Sequence, residues 1–561
     1  MSKENNFVLA MYDIRGIQDY IFRTAKLRDA IGASAQVENI ILDALSQSVR
    51  EENIPSERFS LIWENEASHE EIVLNKNEWE DKDVQILYIG GGNGLVIFSS
   101  REIAISISKK MSKIVMDRTY SLQLAVAIVK KTENYSHDYE ELQNQMRKIK
   151  DTMILSKPVG APAIVEREIK TGYPLTQMIY YSDKKEAVST ETYNKIGEEH
   201  RVRKAVEKAD KILDQYITEK GVDSTIAVVH IDGNNMGMRI GDLIKGENDY
   251  TKAVNRMRKI SYNISHDYID VFNEMYEKFN NESSSIIKNK KDTKHFVMKV
   301  LVAGDDITYV CNSQIAFSSV EYFCKKINNE KYTMLGENAD WKKYGFSVCA
   351  GIAFAGSHFP FGAAYEVSEE CCDSAKDRAK EDANIDKIES SNIDRIGNWL
   401  DFQICKNIQT KNLKAVRLRE YETPTGESLL RRPYFVPTAA KETGIFKNLA
   451  EDFYSFDNFK KGCKYFQNET NMPRSFSKEL RNTYPLGEKR VDQFKYFLDS
   501  RKWKLPEDYD KQAALYKIFE NNESVKNNVD EDNHSNPQKI ARWYDALEML
   551  DYFTDMNMEE A

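Results

Sequence analysis

The order strand, helix, strand, strand, helix, strand can be read twice along this chain, and that repeat restricts the fold more than any other feature. The first copy opens with the strand "FVLAMYDI" (7–14). A run of helical spacing follows, "RGIQDYIFRTAKLRDAIGASAQVENIILDALSQSV", with a small-residue interruption at Gly32, Ala33 and Ser34. "VQILYIGGGNGLVIFSS" supplies two β-like runs meeting at Gly90, Gly91, Gly92, Asn93 and Gly94, then come a helix "REIAISISKKMSKIVMD" and a strand "LQLAVAIV". The second copy begins with "TIAVVHIDGNNMGMRI", a strand entering a Gly-rich turn, and continues through a long helix to the hairpin "KVLVAGDDITYVCN". A helix near "SSVEYFCKKINNE", the strand "FSVCAGIAFA" and a closing helix "FGAAYEVSEECCDSAKDRAK" complete it. Both copies predict a βαββαβ arrangement, the split ferredoxin-like unit.

That arrangement decides what the Ala303-Gly304-Asp305-Asp306 tip is for. Alone it reads first as a tight turn, because Gly and Asp tolerate turn geometry, and only second as a cation site, because hard divalent ions take carboxylate oxygens. The repeat places this tip beside the C-terminal end of the first strand of its copy, where Asp232 stands. A turn requires no third carboxylate arriving from a distant segment, so the metal site is the better reading. In the first copy the same places hold Asp13 and the "GGGNG" segment, a poor divalent-metal site. It is expected to be a structural or nucleotide-binding partner.

The chain has 561 residues, 41% hydrophobic and 30% charged, with no run of about 18 apolar residues. Its start lacks the basic-then-apolar pattern of a signal peptide, so a cytoplasmic protein that does not enter a membrane is expected. A net charge of −10 argues against a surface devoted as a whole to nucleic acid, and the basic run "KNKKDTKH" (288–295) reads as a solvated loop. None of the seven cysteines forms a C-x-x-C pair, which leaves reduced core thiols in place of a zinc ribbon or disulfide framework. The dipeptides His137-Asp138 and His266-Asp267 lack the further ligands a metal centre needs and read as surface residues. Beyond about residue 410 the chain turns helical and aromatic-rich, aromatics at such spacing being core, and "NNESVKNNVDEDNHSN" (521–536) reads as a loop. The expected class is α+β: a first βαββαβ domain at 1–135, a mostly helical stretch at 136–222, a second βαββαβ domain at 223–405 and a helical domain at 406–561 that packs on the second domain or on partner subunits.

"YDIRGIQDYIFRTAKLRDAIGAS", "HIDGNNMG", "AGDD", "NWLDFQI" (398–404) and "LLRRPY" (429–434) occur in an order that resembles the large Palm-domain subunit of type III CRISPR–Cas effector complexes. The resemblance covers roughly residues 7–130 and 225–440. It implies two Palm domains and a nucleotidyltransferase or cyclase that joins ATP into 3′–5′ linked, often cyclic, oligoadenylates in antiviral defence, using two Mg²⁺ or Mn²⁺ ions. It also implies work with other effector subunits, guide RNA and target RNA. Two departures stand out: Asn234 where the family has a second Asp, and Ala303 in the family's GGDD. No HD nuclease segment precedes the first Palm and residues 131–224 hold no cysteine, so neither HD-dependent DNA cleavage nor a zinc element is expected.

On this reading Asp232 and Asp305 bridge the metals and Asp306 is a further ligand or an orienting group, while Asn234 can still offer a carbonyl oxygen. The turn Gly233, Asn234, Asn235, Met236, Gly237, together with Gly304, faces the triphosphate through free backbone N–H groups. Lys376 either reaches phosphates, as the resemblance implies, or is an ordinary exposed helix lysine. Ser34, Gly91 and Gly92 are candidates to hold the acceptor nucleotide. Two other functions remain open: a non-catalytic scaffold, which Asn234 favours, and a stand-alone cyclic-dinucleotide synthase, which the paired Palms oppose.

Overall fold

The computed structural model describes residues 6–24, 26–61, 63, 79–90, 92–154, 164–181, 184–202, 213–219, 221, 223–286, 296–336, 339–383, 397–407, 412–438, 454–506, 516–518 and 539–556. Strands β1 (Val8–Arg15), β2 (Phe59–Ser60), β3 (Val84–Gly90), β4 (Asn93–Phe98) and β5 (Gln123–Lys130) form one sheet in the order β2-β3-β4-β1-β5. Strands β6 (Gln177–Tyr181) and β7 (Lys184–Val188) make a separate hairpin. The second large sheet contains β8 (Thr225–Gly233), β9 (Val297–Ala303), β10 (Asp306–Asn312), β11 (Val348–Gly356), β12 (Asn398–Ile404) and β13 (Tyr434–Val436) in the order β13-β12-β11-β8-β10-β9. Strands β14 (Tyr516–Ile518) and β15 (Lys539–Ala541) pair apart from both.

Within each large sheet four antiparallel strands take the spatial order of a split βαββαβ unit, with the hairpin's second strand beside the unit's first strand. The additions lie at the edges: β2 joins the first sheet in parallel, and β12 joins β11 in parallel before β13 turns back. The motif at 398–404 is thus a further strand of the second sheet.

Both faces of the second sheet are covered, which explains why β8 and β11 are apolar almost throughout. Ala227, Val229 and Ile231 pack with the helix Tyr250–Ile286, the helix Ala316–Ile327 and the C-terminal helices. Val228, Val300 and Val310 face the other way, into a core shared with Ile31 and Val37 of the first unit and with Tyr365. The helix Phe361–Ala383 is drawn close onto β11 at Gly351, where a β-carbon would lie 1.8 Å from the carbonyl oxygen of Ser368. Glycine is the one residue that fits there.

Four readings of the sequence change. The small residues Gly32, Ala33 and Ser34 do not interrupt a helix; they lie buried inside the helix Leu27–Glu38, on which the helix Thr190–Val202 packs closely. The stretch after β5 is not simply helical, since the β6–β7 hairpin separates the helices Tyr135–Thr152 and Thr190–Val202. Asp138 is fully buried, accepting from Thr132 and Tyr250, although the neighbouring His137 ring is exposed. The C-terminal region is helical through Phe456–Gln467, Arg474–Thr483 and Glu488–Ser500, yet it adds β13, β14 and β15. The runs at 288–295 and 521–536 lie outside the described residues. All seven cysteines are buried free thiols. Among the described residues, no helix is long and apolar enough to cross a membrane.

The "LLRRPY" segment ties the C-terminal helices to the second sheet. Arg432, fully buried, reaches Glu548 at 3.0 Å, Asp545 at 3.7 Å and Asp401 of β12 at 3.9 Å, with its guanidinium 4.2 Å from the centre of the Phe402 ring. The backbone N–H groups of Arg431 and Arg432 both donate to Asp545. The ions compensate one another, so the charge can be buried.

Candidate active site

Strand β8 ends at Gly233, which leaves Asp232 at the sheet edge, and the β9–β10 tip arrives beside it. Ile307 pairs with Ile231, so one step further along the register Asp306 stands next to Asp232. Gly304 supplies the left-handed turn residue, with φ of +65°. Asp305 then folds against Gly233 so closely that a β-carbon on Gly233 would sit 2.9 Å from Asp305 Oδ2. Three carboxylates from two distant segments therefore meet at one edge.

Their electrostatics record the crowding. Burial first, then the charge of Asp232, raises the Asp305 carboxyl above the usual carboxylate range. Burial, Asp232, Asp305 and Glu369 push Asp306 well above that range as well, with Lys376 working the other way. Asp306 Oδ1 is buried without a hydrogen bond, and the nearest cationic candidate, His230 Nδ1, is 3.6 Å away. Burial lowers the His230 ring to about 4, so it is neutral near pH 7 and shares a 3.2 Å hydrogen bond with Thr308.

Lys376, on the helix that Gly351 admits, forms an ion pair with Asp232 and lies 3.9 Å from Asp373. Asp232, Asp305, Lys376 and the turn from Gly233 to Gly237 line one cavity of about 410 Å³, of the size that small ligands occupy. Asn235 (φ of +53°) opens the helix Met236–Ile244 without a side-chain cap, and the first residues of that helix, Met236, Gly237 and Met238, line the cavity. Asn234 departs from expectation: its side chain is buried and donates through Nδ2 to Ser347 Oγ at 3.1 Å and to the Gly397 carbonyl at 3.2 Å. It fastens the turn to the fold.

The first copy carries different groups at the same positions. Asp13 is paired in register with Asn93, as Asp306 is placed beside Asp232, and Asp13 is bound by Lys150. Gly92 lies against Ile17, Ser34 is buried on the helix Leu27–Glu38, and Gly91 is outside the described residues. No described contact joins Ser34 or Gly92 to the three carboxylates. The two hairpins nevertheless rest on one helix, Tyr250–Ile286. Ser261 Oγ donates to the Ile89 carbonyl at 3.0 Å, and Ile264 Cγ2 is 3.9 Å from where a Gly304 β-carbon would be.

Sequence reading missed Glu369, His230 and Thr308. Glu369, raised to about 7 by burial and by Asp373, sits two helical turns before Lys376 and so on the same face. His230 is two residues before Asp232 and shares its face of β8. Both spacings were available in the sequence.

The donor set is all hard oxygen, includes one orphaned buried carboxylate oxygen, and is crowded enough to hold protons in the absence of a cation, which fits a divalent metal. Among the described residues, however, no three His, Cys, Asp or Glu side chains stand in a finished ligating array. Lys376 engages Asp232 and Asp306 leans toward His230, so rotation of these side chains is needed to complete one.

Residues 225–385 match the family model described as Cas10/Cmr2, second palm domain. Among solved structures, the chain is similar to a Csm1-Csm4 cassette in complex with cA4 (14% identity, TM-score 0.38, covering 67% of this chain and 53% of that one). It is likewise similar to a cassette with one ATP (13%, TM-score 0.39, covering 67% and 54%). A third is the Csm1-Csm4 subcomplex of the type III-A CRISPR-Csm interference complex (14%, TM-score 0.39, covering 67% and 54%). The chain thus spans about half the length of these structures. No curated protein matches it. The part of the chain that gathers the carboxylates is, over residues 225–385, a match to the Cas10/Cmr2 second palm domain.

Proposed function

We propose that the unit built on β8–β11 is a nucleotidyltransferase that joins ATP into 3′–5′ linked oligoadenylates, cyclic ones among them, as messengers in type III CRISPR antiviral defence. The observation that carries this reading is the convergence of Asp232, Asp305 and Asp306 beside an uncapped helix N-terminus and Lys376. Two Mg²⁺ or Mn²⁺ ions, when bound, would activate the attacking 3′-oxygen and neutralise the triphosphate and its leaving pyrophosphate. Asp232 and Asp305 would hold them, with Asp306 as the third carboxylate. The first N–H groups of the helix Met236–Ile244 receive phosphate oxygens, and Lys376 exchanges its Asp232 partner for phosphate. His230, neutral and hydrogen-bonded to Thr308, keeps a non-competing group under Asp306. The first copy, with Asp13 already paired to Lys150, supports the neighbouring nucleotide and performs no chemistry.

The partners proposed are other type III effector subunits, guide RNA and target RNA, in the cytoplasm. A scaffold without catalysis is the second reading, favoured by the unfinished ligand array. Labelled ATP, GTP and their mixtures, incubated with Mg²⁺ or Mn²⁺ with and without cognate complex and target RNA, separate the two. Oligonucleotide product that requires metal and disappears in Asp305→Ala/Asp306→Ala supports the transferase; no product under any condition, with assembly intact, supports the scaffold.

A further inference from the structure

A second cavity, of about 320 Å³, lies along the helix Met236–Ile244 and shares no lining residue with the carboxylate cavity. Its charge is of the opposite sign. Arg239, Lys245, Arg256 and Lys343 line it against a single acid, Asp242.

Arg239 is the informative group. It is 3% exposed; Nη2 donates to the Gly345 carbonyl at 2.6 Å, and Nη1 reaches only the Met236 sulfur, 4.0 Å away. Among the described residues no carboxylate forms an ion pair with it, Asp242 included, and burial lowers its guanidinium to about 10. Arg432, the other buried arginine already described, is surrounded by three acids. A buried cation without a counter-ion is costly, and the open space beside Arg239 is where a counter-ion can enter. Arg256 is partly engaged, donating to the Leu243 carbonyl at 2.9 Å and standing 3.8 Å from Glu247, while Lys245 and Lys343 are exposed.

Four cations around one small cavity suit an anion of several charges rather than a single carboxylate. A guanidinium matches phosphate oxygens in forked geometry, and ammonium groups add point charge. The volume suits a small molecule. Met334, Leu335 and Tyr344 give the same cavity an apolar and aromatic wall, against which a base can lie. We infer that this cavity binds a di- or triphosphate group, free or carried by a nucleoside, at a site separate from the carboxylates. Arg239 touches Met236, which lines the carboxylate cavity, so one side chain joins the two sites. The inference does not depend on whether the carboxylates are catalytic.

The test is calorimetric titration of the full chain with inorganic pyrophosphate, ADP and adenosine in turn, in EDTA so that no divalent ion carries phosphate to the carboxylates. Arg239→Met is expected to raise the pyrophosphate Kd about 10- to 150-fold, the loss of hydrogen bonds to a charged group. Lys245→Glu/Lys343→Glu changes exposed residues only; it is expected to raise Kd and flatten its salt dependence, and it keeps the test open should Arg239→Met fail to fold. Lys376→Glu reports any anion held in the carboxylate cavity instead. Equal affinity for pyrophosphate and ADP identifies the free phosphate anion as sufficient, whereas tighter ADP binding that Tyr344→Ala loosens identifies a nucleotide. No binding by the parent overturns the inference, as does adenosine binding as tightly as ADP. So does a pyrophosphate affinity that the folded Arg239 and lysine variants share with the parent, or one that only Lys376→Glu abolishes.

Discussion

Lys150 holds Asp13 at 2.5 Å in the first sheet unit, at the place where Lys376 holds Asp232 in the second. Both lysines lie on the helix that follows the unit's last strand. The repeat therefore extends past the strands to an acid–base pair. What separates the copies is the hairpin: Gly92 and Asn93 in one, Asp305 and Asp306 in the other.

Crowded carboxyls make stability depend on pH. Asp305 has a folded pKa above its unfolded value, so the folded state binds more protons and stability falls as pH rises from about 4 through the raised pKa. Asp305→Asn removes that penalty, and the variant should be more stable than the parent at pH 8 by about 1–2 kcal/mol after screening, and equal to it at pH 4. Mg²⁺ should raise the parent's Tm at pH 8 more than at pH 5, because protons and cations compete for the same oxygens. Thermal melts at four pH values with and without Mg²⁺ measure both; equal Mg²⁺ effects at pH 5 and pH 8 would contradict the arrangement.

Restoring the family's carboxylate at position 234 should not help. Asn234 donates twice from a buried position, and Asp would face the Gly397 carbonyl with no proton to give. Asn234→Asp is expected to destabilise the chain by about 2–4 kcal/mol with no gain in metal affinity. Urea unfolding together with Mg²⁺ titration checks this, and a tighter metal site in a stable variant would show that residue 234 turns toward the cavity.

Gly233→Ala tests how closely Asp305 must approach. The added methyl would sit 2.7 Å from Met236 Cγ and 2.9 Å from Asp305 Cβ, so the tip has to move. Product formation should fall at least about tenfold, the rate cost of roughly 1.4 kcal/mol, while Tm changes little. An unaltered rate would mean that the chemistry does not depend on the Asp305–Gly233 contact.

Arg432 is the buried cation most exposed to consequence. Arg432→Leu leaves Glu548 and Asp545 without their guanidinium partner. A loss of about 3–5 kcal/mol is expected, seen as a lowered denaturant midpoint. A near-neutral result would show that the remaining donors, Tyr434 to Asp545 and Tyr421 to Glu548, satisfy the acids unaided.

The order of the four central strands in each sheet was legible because each copy repeats the same alternation of β-like and helical spacing, and the approach of Asp232 to the hairpin follows from that order; the edge strands β2, β12 and β13 were not. Side-chain direction was not legible. Asn234 sits between residues that face the cavity, yet its amide finds Ser347 and Gly397, which are far away in sequence. Gly32, Ala33 and Ser34 look like a break in isolation, and read as helix only once they are buried within Leu27–Glu38, with Ala33 in the core of the first unit. Glu369 stands in an acidic run and is set apart from its neighbours only by its spacing of two helical turns from Lys376. The β6–β7 hairpin shows the limit of propensity: its two short strands lie between the helices Tyr135–Thr152 and Thr190–Val202, in a stretch that otherwise reads as helical.

The helix Tyr250–Ile286 has a mechanical consequence. Ser261 meets one hairpin and Ile264 the other, three residues on, so the offset between the two tips is fixed by helical rise at about 4.5 Å along the axis. No loop length enters that distance. The helix acts as a gauge block between the two halves: a kink introduced between Ser261 and Ile264 would reset their spacing in one stroke.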